Sequence, residues 1–314
     1  MKKTFLFLIS LMAAASMHAI DDNTVEVVFN GTTATITIAD NIADSVTVSS
    51  GESSHVVITS KAGKITGEVT YALSGTTDDG NFTLKGEYKC EIDLNGLTLT
   101  NPNGPALNIQ NGKRTAISAK KNTKNTLANG KDKDYKGCIH CTGHLEFKGK
   151  GELNIASNYK HGIYSEEYVS IKNLTLNITQ AEKDGIHCQE YFLMESGNVT
   201  IGNVGDDGIQ CELAANKDQT AEIDDHEDEN SGNIYQLDGT LTIANCGGNP
   251  VKADGTIYYR GGTQNFTTTG ISDATRLNDK GEMINIKCFD LQGRRVINPT
   301  RGIYLLNGRK VVIK

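Results

Sequence analysis

The chain has 314 residues, a formal net charge of −7, 33 Gly, only 4 Pro and no Trp. That length allows one large domain with small appendages, and the acidity excludes nucleic-acid binding through a bare surface, because phosphate contacts need a basic face. No long stretch places apolar residues at helical spacing, so little helix is expected and many short strands joined by tight turns are. In chain order, the first feature is Lys2 and Lys3, followed by the apolar run Phe5 to Ala15 and then small residues. This reads as a secretory signal over residues 1–19, with cleavage near Ala19. The run is too short to span a bilayer, nothing later is apolar enough to do so, and no Cys follows closely enough for a lipid anchor there. The mature chain is therefore expected outside the cytoplasm, secreted or at the cell surface.

Residues 20–84 alternate like strands but irregularly (Val25 to Val28, Thr33 to Ile38, Val46 to Val48, Val56 to Ile58). They read as an N-terminal β cap with lead-in strands, covering an edge that would otherwise invite aggregation. From 85 to 270 the chain repeats. Cys138-Ile139-His140-Cys141, Gly162-Ile163-Tyr164-Ser165, Gly185-Ile186-His187-Cys188 and Gly208-Ile209-Gln210-Cys211 align, with a looser copy at Ala106 to Ile109 and another at Pro250 to Ala253. A second alternating strand follows each of the aligned copies, as in Leu153 to Ile155, Leu174 to Ile178 and Val199 to Ile201. A short repeat of strands and Gly turns cannot bury its apolar side alone, so copies stack as a solenoid. The fold class predicted is all-β: a parallel β-helix, right-handed because parallel crossovers almost always are. An acidic insertion, Asp218 to Glu229, interrupts the repeat and reads as a solvated loop or a secondary cation site. Residues 271–314 form a distinct β tail with basic turns; its net charge of +5 and the leader's two lysines leave residues 20–270 at −14.

Strand alternation assigns facing. Ile139, Ile163, Ile186 and Ile209 point inward, as do Cys141, Ser165, Cys188 and Cys211 two residues on. Their Cβ vectors run parallel, which favours a ladder of buried thiols over disulfides and removes a catalytic thiol. The neighbouring histidines face out, and His140 and His187 lie two rungs apart, roughly 9–10 Å, too far to share one zinc ion. The outward residues His140, Tyr164, His187, Gln210 and Lys252 form a ladder at the rung spacing of ~4.8 Å, able to follow an extended polymer or to be an ordinary solvated face. Beside it, Lys183-Asp184-Gly185 and Asp206-Asp207-Gly208 are equivalent turns on neighbouring coils. Asp184 and Asp207 should stack about one rung apart and repel. A bound cation, a raised carboxylate pKa, or simple screening of good Asp-Gly turns would each resolve that. Calcium, which takes 6–8 oxygen ligands in loose geometry, suits such a cluster.

These residues carry a resemblance. Asn122 to Leu127, the Gly-Ile coils with Asp-Asp-Gly-Ile, Tyr71 to Gly75 and Gly104 to Leu107 together resemble the carbohydrate-binding β-helix family that binds polygalacturonate with calcium and is similar to family 9 pectate lyases. The likeness covers roughly residues 65–262. It implies binding of an acidic, pectin-like polysaccharide, with Asp184, Asp206 and Asp207 as the calcium ligands. The coil at Lys160-His161-Gly162 lacks the turn carboxylate, and the coil at Pro250 has lost the Gly, so the site is confined to two coils. The tail, with Asp290-Leu291-Gln292-Gly293-Arg294 and Gly302-Ile303-Tyr304, resembles C-terminal sorting domains of the type IX secretion system, which implies the secretion machinery as a partner.

Three functions follow as expectations. The first is non-catalytic binding of acidic polysaccharide, bridged by calcium because an acidic domain repels a polyanion, with His140, Tyr164, Lys183, His187, Gln210 and Lys252 as the contact residues. The second is a calcium-dependent lyase with Lys183 as base and Lys160 and Lys252 behind it. The third is a surface structural protein or adhesin.

Overall fold

A computed structural model describes residues 20–61, 65–214 and 229–267, together with five short strands between 275 and 313. The expected leader over residues 1–19, most of the acidic insertion and the greater part of the tail lie outside the described residues. The fold is the predicted all-β parallel solenoid, of about eight turns. One sheet carries the Gly-Ile signature. Its parallel strands are His55–Ser60, Asn81–Gly86, Leu107–Asn111, Gly137–Cys141, His161–Ser165, Ile186–Gln189, Ile209–Glu212 and Val251–Ala253. Two further faces run alongside it, from Thr115–Ala119 to Ile257–Tyr259 and from Lys124–Asn129 to Thr263–Thr267. The long strand Cys90–Asn101 joins them, pairing with Thr115–Ala119 through its first half and with Lys124–Asn129 through its second.

Parallel pairing already operates N-terminal to residue 85. Val69–Thr77 lies parallel beneath Cys90–Asn101, with one register shift between Leu73 and Gly75, and Thr24–Asn30 lies in register beneath Val69–Thr77. The edge is closed by reversal: Thr33–Ile38 returns antiparallel on Thr24–Asn30, and Val46–Val48 antiparallel on His55–Ser60. A single 3-10 turn, Asp40–Ser45, joins these capping strands. The described tail strands pair antiparallel among themselves, with Gly302–Leu306 and Arg309–Ile313 as a hairpin. Among the described residues no helix is long and apolar enough to cross a membrane.

The aligned isoleucines pair directly, Ile139 with Ile163, Ile163 with Ile186, and Ile186 with Ile209. All four are fully buried, as are Cys141, Ser165, Cys188 and Cys211 beside them. The described cysteines are free thiols. Burial pushes Cys138 and Cys141 up to about 12, so they act as small apolar groups rather than nucleophiles.

The glycine before Ile163, Ile186 and Ile209 has a steric cause. A Cβ on Gly185 would sit 2.5 Å from Ile201 Cγ2 and 2.7 Å from the Gly208 carbonyl oxygen of the next rung. Gly162 and Gly208 meet Ile178 and Ile243 in the same way. The inward isoleucine of the third face thus fills the space that a side chain would need. Gly185→Ala is expected to destabilise by about 1–3 kcal/mol through overpacking, read as a lower urea midpoint at unchanged slope.

Candidate functional site

The turns that enter the Gly-Ile strands hold the chemistry. Backbone bonds link them rung to rung: Gly162 N–H to the Asp184 carbonyl (3.0 Å), Gly185 N–H to Asp207 (3.0 Å) and Gly208 N–H to Asn249 (2.8 Å). His161, Asp184, Asp207 and Asn249 therefore occupy one column. Asp184 and Asp207 do stack on adjacent coils as expected, but both are buried, at 1 % exposure each. Their repulsion is answered by protein groups. Asp184 Oδ1 accepts the Asp207 N–H at 2.9 Å. Asp184 Oδ2 accepts His187 Nδ1–H at 2.9 Å and lies 3.1 Å from His161 Nδ1. Asp207 Oδ1 accepts both the backbone N–H (2.6 Å) and the Nδ2–H (3.2 Å) of Asn249. Asp207 Oδ2 faces Lys252 Nζ at 3.1 Å. Burial alone would raise the Asp184 carboxyl, but the contacts from His161, His187 and the Asp207 backbone more than offset it and hold it well below the usual carboxylate range.

Three groups of His, Asp and Glu bring ligand atoms within 4.8 Å of one another and are candidate metal-binding groups: Asp184–Asp206–Asp207, His161–Asp184–His187 and His144–Glu167–Glu190. The first is the set implied for calcium. It does not fit a calcium ion as it stands. Calcium wants 6–8 oxygens. Both oxygens of Asp184 and both of Asp207 are already in contact with donors, one of them the Lys252 ammonium. Asp206 is exposed and contributes the remaining carboxylate. His140 and His187 are two rungs apart, with Tyr164 between them, so they share no metal directly. His161, one turn earlier, meets His187 on Asp184 instead.

The outward ladder forms in register, His140–Tyr164–His187–Gln210–Lys252. It is not the open strip that alternation suggested. His140 stacks on Tyr164 at a centroid distance of 5.4 Å and Tyr164 on His187 at 5.3 Å, with Tyr135 edge-on to His140. The four residues from His140 to Gln210 are buried. Burial, aided by Lys136 and Lys160, lowers His140 to about 4, so the ring is neutral at pH 7.

What stays open is the flank of the ladder. One residue before the column just described, Lys160 and Lys183 follow each other on successive turns, with Lys136 preceding them and Asp206 after them. These lysines line a shallow groove of about 300 Å³ together with His161, Tyr164, His187, Gln189 and Glu212. Lys136 Nζ donates to Tyr164 Oη at 2.6 Å and lies 4.4 Å over its ring. Lys160 Nζ donates to the Tyr135 carbonyl at 3.1 Å. Of the expected contact residues, Tyr164, Lys183 and His187 reach this groove, and Lys252 is held on Asp207. Gln210 donates to Glu212. Lys136 and His161 were missed. His161 was legible as the occupant of the Asp184 column, whereas Lys136 enters from an irregular turn.

A family profile described as "Carbohydrate-binding domain-containing protein" matches residues 59–298. Among solved structures, the chain is similar to a polysaccharide lyase-like protein from C. thermocellum, determined as a gadolinium derivative. The TM-score is 0.57 and the identity 19%, over 79% of this chain and 96% of that one, a likeness of fold. No curated protein matches.

Removing the Asp184 carboxylate leaves two imidazoles and a buried N–H without their acceptor. Asp184→Ala is expected to lose about 3–5 kcal/mol in urea unfolding, and Asp184→Asn less. The neutral His140 favours the folded state fully above pH 6.5, and that contribution is lost as the pH falls toward about 4. Tm is therefore expected to drop across that interval, and His140→Gln to flatten the drop.

Proposed function

The chain belongs to the carbohydrate-binding domain-containing protein family, and on that premise we propose that it binds an acidic, pectin- or polygalacturonate-like polysaccharide without cleaving it. The observation that carries this reading is the run of Lys136, Lys160 and Lys183 on successive turns beside stacked Tyr164 and His187. Rungs repeat every ~4.8 Å, so the ammonium groups form a short basic track along the solenoid axis. Uronate carboxylates pair with ammonium groups, and the apolar face of a sugar ring suits an aromatic edge. The domain as a whole repels a polyanion, yet this turn reverses the sign locally. Calcium has no part in the reading, because the carboxylates that would hold it are occupied. His161 and His187 are drawn onto Asp184 and act as a rigid wall of the groove.

A β-eliminating lyase is the second reading, favoured by Lys183 standing in the same groove as two imidazoles oriented by a carboxylate. There Lys183 would take the proton next to the uronate carboxylate. Export and surface attachment complete the proposal. They are supported by the Lys2–Ala19 leader and by the sorting-like tail at 271–314.

The test is affinity electrophoresis and calorimetry against polygalacturonate and neutral glucans. Polygalacturonate is expected to bind, more weakly as salt rises. Lys160→Ala with Lys183→Ala should lower affinity by about tenfold, the equivalent of ~1.4 kcal/mol, without shifting Tm. Ultraviolet absorbance of unsaturated product that vanishes in Lys183→Ala would move the assignment to the lyase. Indifference to every glycan would leave a surface structural protein or adhesin.

A further inference from the structure

We infer that Lys252 is a built-in cation that takes the place of a divalent ion in the Asp184–Asp206–Asp207 turn and closes that turn to calcium. The inference rests on the geometry of the turn rather than on the glycan reading.

Two carboxylates buried one rung apart need compensating charge, since an unpaired buried charge costs several kcal/mol. Asp184 is met instead by two imidazoles and by the Asp207 N–H. Asp207 receives from Asn249 two hydrogen bonds but no charge. Among the described residues its cation is Lys252, with Nζ 3.1 Å from Oδ2. That oxygen is buried and has no hydrogen-bond donor aimed at it in good geometry. The ammonium thus acts on Oδ2 as a point charge, much as a metal ion would. Partial burial alone would lower the Lys252 pKa, but Asp207, with Asp206 and Asp184 beyond it, raises it, so the charge is fixed at neutral pH.

The last coil supplies both halves of this device. Asn249 stands in the column where two preceding coils carry Asp, and Lys252 stands in the ladder where they carry His187 and Gln210. The column of acids ends there, and the residue three positions on delivers a positive charge back onto it. A calcium ion at this point would have to displace an ammonium, break the Asn249 contacts and gather most of its ligands from elsewhere. The groove can therefore work without metal.

Wild type and Lys252→Met are titrated with calcium chloride after treatment with EDTA, and followed by calorimetry and by Tm. Wild type is expected to show neither binding heat nor a Tm shift at this turn. Lys252→Met keeps the aliphatic stem, loses the charge, melts lower in EDTA and gains calcium-dependent stability. The gain is roughly 5 °C with calcium about 100-fold over its Kd, and Asp206→Asn on the Lys252→Met background removes it. Calcium binding by wild type that Asp206→Asn abolishes would overturn the inference, and so would a folded Lys252→Met indifferent to calcium. If Lys252→Met does not fold, Lys252→Gln serves with the same criteria, and the wild-type titration decides on its own should neither fold. No glycan enters these measurements, so failure of the carbohydrate reading would leave their outcome intact.

Discussion

The parallel backbone ladder is the constraint from which the rest follows. Its hydrogen bonds set each coil about 4.8 Å above the last and hold equivalent residues in register. Every position therefore becomes a column, and each residue must tolerate its own kind above and below. Inward columns of isoleucine, cysteine and serine do so by packing. At Gly162, Gly185 and Gly208 the third face presses so closely on the first that a Cβ would meet Ile178, Ile201 or Ile243, which is why those three coils begin with Gly-Ile.

Outside the core the same register has opposite effects on different side chains. Rings gain from it: His140, Tyr164 and His187 stack into one continuous pile. Carboxylates lose by it, and Asp184 and Asp207 persist because imidazoles, backbone N–H groups, Asn249 and Lys252 converge on them. Lysines one residue earlier line the groove, Lys136 on the Tyr164 hydroxyl and Lys160 on the Tyr135 carbonyl. The run of Lys136, Lys160 and Lys183 on an acidic solenoid is thus a product of register, beside a column whose two acids, Asp184 and Asp207, are paired internally.

Much of this was readable from residue order. The 23- to 24-residue recurrence of Ile139, Ile163, Ile186 and Ile209 specified the coil, its facing and the inert thiols, because a period of two along each strand leaves no alternative once the isoleucines are inside. It also placed Asp184 and Asp207 one above the other. It put His161 in that column as a residue without a carboxylate, but did not show that His161 reaches Asp184 or that Asn249, which follows an insertion, continues the column. Nor did it show that Lys252 folds back onto Asp207, or that Lys136 covers Tyr164.

The sequence by itself determined the solenoid, its register and the list of side chains sharing each column, because those depend only on periodicity and backbone geometry. The tertiary structure alone decided which members of neighbouring columns touch. An acid turn that calls for a cation in isolation is satisfied here by residues from a coil 45 positions away (Asp207 to Lys252). The groove opens where the lysines lie because hydrogen bonds and charge pairs draw the other polar groups inward. Partner choice of that kind is set by distances between columns, which no one-dimensional repeat encodes.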